Sequence, residues 1–131
     1  MAELLYSAIS EYRAVGSISV TSTSLPFFNY YAPSAKVAAG KTYKFSSAQF
    51  TSVIAGLEGW ADAYMRRIKY HMPEGGHLPE EFNRNTGFVQ GAADLTWSYA
   101  SLLTAAFARA RVTGNEGYIT ALANMDTNVR T

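Results

Sequence analysis

Apolar residues near the start recur as Leu5, Ala8, Ile9 and Tyr12, the three-and-four spacing of one helix face, with Gly16 placed to stop it. This predicts a helix over about residues 2–15. Residues 17–24 alternate Ile18 and Val20 with hydroxyl residues, a pattern that passes for a strand. They lead directly into Pro26-Phe27-Phe28, where Ser24 as a cap and Pro26 in a first turn favour a short helix reaching Tyr31. Residues 33–46, with Gly40 and several small or polar side chains, read as a loop. The strongest periodic signal follows: Phe50, Val53, Ile54, Leu57, Ala61, Tyr64 and Ile68 trace one long stripe, with Trp60 beside it and Ser46 or Ser47 as the cap. Residues 72–91 hold two prolines and four glycines and read as a long connection of the kind that carries function. A last helix is predicted from near Asp94, its cap, with Leu95, Tyr99, Leu102, Leu103 and Ala106 on one face and Gly114 beyond its end. Residues after Gly114 are weakly periodic. The fold class is all-α, with no internal repeat and no Ser/Thr-rich linker.

Composition narrows the function classes. The 131 residues are 48% hydrophobic and 16% charged, which suits a globular unit with a modest core. The net charge is +1 and no dense basic run offers phosphate contacts, so nucleic acid is not an expected partner. There is no cysteine, which excludes disulfides and thiolate metal sites; His71 and His77 lack ligand spacing, and neither a metal nor a cofactor is expected. The opening residues carry an early acid and no long apolar run, so they read as neither a signal peptide nor a membrane span. Aromatic residues make up 14% of the chain, a level that suits sugar-stacking surfaces and large cores alike.

Chemistry concentrates around the long connection. Leu78-Pro79-Glu80-Glu81-Phe82-Asn83-Arg84-Asn85-Thr86-Gly87 and Ala93-Asp94-Leu95-Thr96-Trp97-Ser98-Tyr99-Ala100 flank it, and Gly16-Ser17-Ile18-Ser19-Val20-Thr21-Ser22-Thr23-Ser24-Leu25-Pro26-Phe27-Phe28 lies upstream. In order and spacing the three resemble the end of the catalytic domain of glucoamylases, glycoside hydrolase family fifteen, from near the start of the chain to about Arg109. The resemblance implies that residues 1–131 are the C-terminal portion of an (α/α)6 barrel, an incomplete ring of helices without a starch-binding module. It implies an α-glucan or maltooligosaccharide substrate, the missing N-terminal part of the barrel as partner, no membrane, and a secreted or vacuolar location.

The chemistry it implies is an inverting hydrolysis in which one carboxylic acid protonates the departing oxygen while a second carboxylate activates water, the pair standing roughly 6.5–9.5 Å apart. By resemblance Glu80 is that second carboxylate, the general base, and Trp97 is the indole against the sugar. From the residues alone, Glu80 is a solvated loop acid, Trp97 a core residue and Arg84 a loop-solvating cation. Two departures from the family pattern stand close to the base: Glu81 replaces the usual Gln, and Gly91 stands where a Ser is often found whose hydroxyl donates to the base. No segment matches the one that carries the general acid. An alternative reading is therefore a non-catalytic, carbohydrate-binding or scaffold remnant of the barrel. A self-sufficient enzyme using Glu80 and Glu81 together is disfavoured, because neighbours on one loop do not face each other across a sugar ring.

Overall fold

The computed structural model of the chain describes residues 1–115. The weakly periodic stretch after Gly114 lies, from residue 116 on, outside the described residues. Four helices dominate: α1 (Ala2–Val15), α2 (Leu25–Tyr31), α3 (Ala48–His71) and α4 (Thr96–Thr113). The chain divides into two compact units, Met1–Met65 and one that begins at Arg66.

In the first unit the predicted helices form where the stripes placed them. Helix α1 ends on Gly16 in the left-handed region (φ 73°), whose N–H bonds the Tyr12 carbonyl, an ending that glycine adopts without Cβ strain. Its face Leu5, Tyr6 and Ile9 is buried, as are Phe50, Val53, Ile54, Leu57 and Ala61 of α3. The Tyr6 hydroxyl donates to the Asp62 carboxylate at 2.5 Å, and Arg13 meets Glu58 at 4.0 Å, so polar contacts accompany the apolar packing. Ser47 caps α3: its hydroxyl accepts the Phe50 N–H at 3.2 Å.

One expectation needs correction here. The alternation at Ile18 and Val20 is a genuine strand, β1 (Ser17–Val20), and part of the expected 33–46 loop is its partner, β2 (Lys41–Lys44). They pair antiparallel with Ile18 opposite Tyr43 and Val20 opposite Lys41, which buries Ile18 and Val20 while Ser19 and Thr42 meet through their hydroxyls on the other face. A 3-10 turn at Pro33–Ala35 precedes β2. Thr42 and Tyr43 favour a pleated backbone, but flanking lysines thin the alternation that would announce it.

In the second unit, α4 starts at Thr96 with Leu95 at its cap position, so Asp94 is not the cap. The predicted face is also displaced: Ala105, Ala108 and Val112 are the buried positions, whereas Leu103 is 53% exposed.

Candidate active site

Glu80 is placed by a hairpin within the long connection. Strands β3 (Glu81–Phe82) and β4 (Val89–Gln90) pair antiparallel, Glu81 opposite Gln90 and Phe82 opposite Val89. The turn between them is built by Asn83, whose side-chain oxygen accepts the N–H groups of Asn85 (2.9 Å) and Thr86 (3.1 Å). The Asn83 carbonyl accepts from Gly87 (2.7 Å), which sits at φ 74° beneath the His71 ring, so close that a Cβ there would collide with it. His71 also packs against Phe82, ring centroids 5.7 Å apart, tying the hairpin to the end of α3. Arg84 lies exposed in the turn, in keeping with the solvating role read from the residues alone.

Just beyond the ladder, Glu80 lies close against Gly91. The Glu80 N–H donates to the Ala92 carbonyl at 2.9 Å, and the Ala92 N–H donates to Glu80 Oε2 at 3.2 Å. The carboxylate is therefore gripped by a backbone donor. Gly91 (φ 73°) makes the approach feasible, because a Cβ at this position would lie 2.8 Å from Glu80 Cβ and run into Oε2 as well.

Preceding residues are pinned by the start of α4. The Leu78 carbonyl accepts the Leu95 N–H (3.0 Å), the Pro79 carbonyl accepts the Ser98 hydroxyl (2.8 Å), and the Leu78 N–H donates to the Tyr99 hydroxyl (3.1 Å). That hydroxyl in turn donates to Asp94, whose carboxylate also meets His77 Nδ1 at 3.0 Å. Asp94 thus organises the segment leading to Glu80 rather than capping a helix. Trp97 lies in the first turn of α4, between these anchors, and is 64% exposed, so its indole is available at the surface of this chain. The hairpin went unpredicted, although Asn-Arg-Asn-Thr-Gly between Phe82 and Val89 is a usable turn signal.

The hydrogen bonds from Tyr99 and then from His77 hold the Asp94 carboxyl below the usual carboxylate range, while the hydrogen bond to Asp94 lifts the Tyr99 phenol above its ordinary value. The two effects have opposite signs in pH. The Asp94 contribution is present above the ordinary Asp value of about 3.9 and fades as pH falls through the lowered folded value. The Tyr99 contribution is present below about pH 10 and fades as pH rises through the raised one. In Tyr99→Phe the Asp94 titration, followed by carboxyl NMR, should move up toward the ordinary range. An identical titration would show that Tyr99 does not hold Asp94.

Gly91→Ser is not the simple gain of a hydroxyl that the family pattern suggests. A side chain at this φ is strained by roughly 1–3 kcal/mol and must displace Glu80. The expected result in an enzyme completed with the rest of the barrel is a fall in kcat; equal or higher kcat with Glu80 undisturbed would count against the close approach seen here.

The Glu80 carboxylate is held at the start of a short hairpin, and an exposed indole stands in the first turn of the helix that follows. Residues 1–107 match the profile described as glycosyl hydrolases family 15, and the chain belongs to that family. It is 50% identical over 125 residues to a glucoamylase of Blastobotrys adeninivorans, covering 95% of this chain and 20% of that protein. Glucoamylase 1 of Rhizopus oryzae is 42% identical over 109 residues, or 83% of this chain and 18% of the relative. The solved family 15 glucoamylase of Hypocrea jecorina superposes with a TM-score of 0.77 at 45% identity, over 85% of this chain and 18% of that one. The fold is accordingly that of a portion of an (α/α)6 barrel. The chain spans about a fifth of the length of these relatives.

Proposed function

We propose that this chain supplies the general base of a glucoamylase-type hydrolysis, releasing β-glucose from the non-reducing ends of α-1,4 and α-1,6 glucans by inversion. The observation that carries this reading is the two-point hold on Glu80, backbone to Ala92 carbonyl and carboxylate to Ala92 N–H, which fixes an exposed carboxylate in one direction. A general base needs that orientation: it takes a proton from a water as the water's oxygen bonds the anomeric carbon, on the face opposite the departing oxygen. The glycosidic C–O bond breaks, and the leaving oxygen receives its proton from an acid carried by the upstream part of the barrel. Attack from the far side turns an α-linked sugar into a β-product.

The test is the anomer released from maltooligosaccharides by a chimera joining the upstream barrel of the Blastobotrys relative to residues 1–131. Initial β-glucose, seen by NMR before mutarotation, supports the reading; initial α-glucose would overturn it. Trp97 is proposed to lay its indole against the sugar. Trp97→Ala should then raise KM or lower kcat in the chimera with little change in Tm. A large fall in Tm with ordinary kinetics would make Trp97 a packing residue.

A further inference from the structure

An open groove of about 520 Å³ lies in the first unit and contains none of the residues assigned above. Its size is within the ~300–1,000 Å³ of small-ligand clefts. The floor is the small-residue face of α3, including Ser52, Ala55, Gly56 and Gly59. Gly56 allows the backbone after α2 to come close: a Cβ there would lie 2.7 Å from the Tyr31 carbonyl oxygen and 2.8 Å from Ala32 Cβ.

One wall is aromatic. Trp60 and Tyr31 line the groove, their rings edge-on at 5.7 Å, and Tyr30 stacks on Trp60 at 5.3 Å with 29° between planes. Tyr64 supports the cluster from α3 through a tilted contact with Trp60, ring centroids 6.1 Å apart. Despite this packing, Trp60 remains 37% exposed and Tyr30 60%. No residue lining the groove carries a charge, and its side-chain polar groups are the hydroxyls of Tyr31, Ser34 and Ser52 and the indole N–H of Trp60. An uncharged ligand with C–H faces for the indole and hydroxyls for the serines matches this chemistry. An acidic or basic partner would find no counter-charge in the lining.

We propose that the groove is a second, non-catalytic α-glucan site in which Trp60, backed by Tyr30, stacks against a glucose ring. The choice of ligand follows the functional reading above, but the site does not use Glu80. The test uses the full chain with Trp97→Phe, which leaves Trp60 the only tryptophan, titrated with maltoheptaose at fixed, low protein concentration. A saturable change in Trp60 emission is expected. Gly59→Arg, at a position where a Cβ meets nothing within 4 Å, should fill the groove without disturbing α3 and weaken binding by about tenfold or more, with unchanged circular dichroism. Tyr30→Ala should weaken it too, and Glu80→Gln should leave it intact, so failure here and failure of the catalytic reading are separable. Calorimetry of Gly59→Arg in the otherwise unaltered chain serves if Trp97→Phe does not fold. No Trp60 response, equal binding by Gly59→Arg, or emission that follows protein concentration rather than maltoheptaose would each overturn the proposal.

Discussion

Glu80→Gln, placed in a chimera that completes the barrel, lowers kcat by roughly 10²–10⁴-fold, the usual worth of a positioned general base. Glutamine keeps the size and can still accept the Ala92 N–H through its amide oxygen, so the hold on the side chain survives while the proton acceptor is lost. Fold, thermal stability and KM should change little. The loss should therefore fall almost entirely on kcat, the signature of an interaction made in the transition state. Glu81→Gln is the control. Glu81 pairs with Gln90 in β3, away from the Ala92 hold, and should cost far less. If the two substitutions prove equally damaging, or Glu81 the more sensitive, the assignment of the base is wrong.

The second large effect is expected on the chain by itself: no measurable glucose from maltose or starch, and a tendency to self-associate. Inversion requires an acid as well as a base, and no segment of the 131 residues resembles the family's acid-bearing one. The association follows from exposed large apolar side chains, among them Tyr70, Phe88, Trp97 and Leu103, since contiguous apolar patches beyond a few hundred Å² tend to find partners. Supplying the upstream barrel, in one polypeptide or as a second chain, should restore turnover and reduce association together. Glucose release and light scattering on the two preparations are the measurements. A monomeric chain that hydrolyses maltose unaided, and stops doing so in Glu80→Gln, would mean that the acid is encoded within it.

The legible parts of the fold were those where large side chains carry the period. Leu5 and Ile9 in α1, and Val53, Leu57 and Ala61 in α3, bury the faces that their spacing describes, and Ser47 and Gly16 mark the ends by local backbone chemistry. Helix α4 misled for the converse reason. Its buried face is Ala105, Ala108 and Val112, small residues whose weak hydrophobic signal is outweighed by an exposed Leu103. Strand β2 was hidden because two of its four residues are lysines, and its pairing depends on a partner more than twenty positions away. Asp94 carries the residue type of a cap and sits one place before Leu95, but Tyr99 and His77 compete for its carboxylate and win. At the site, resemblance named Glu80 and Trp97, while nothing local in the sequence pointed to the backbone grip from Ala92 or to the close approach at Gly91. Both arise from the β3–β4 register, which is a property of the turn rather than of either residue.

That dependence on register bears on which changes this segment tolerates. Exposed turns are ordinarily where chains gain and lose residues at little cost. The turn from Asn83 to Phe88 is exposed, yet its length decides which side chain stands across from Gly91. Shifting the pairing by one residue sends alternate side chains to opposite faces. A single deletion there would change the pairing and take Glu80 away from Gly91. Substituting an outward residue of the turn, such as Arg84, leaves this pairing intact, whereas changing the number of its residues does not.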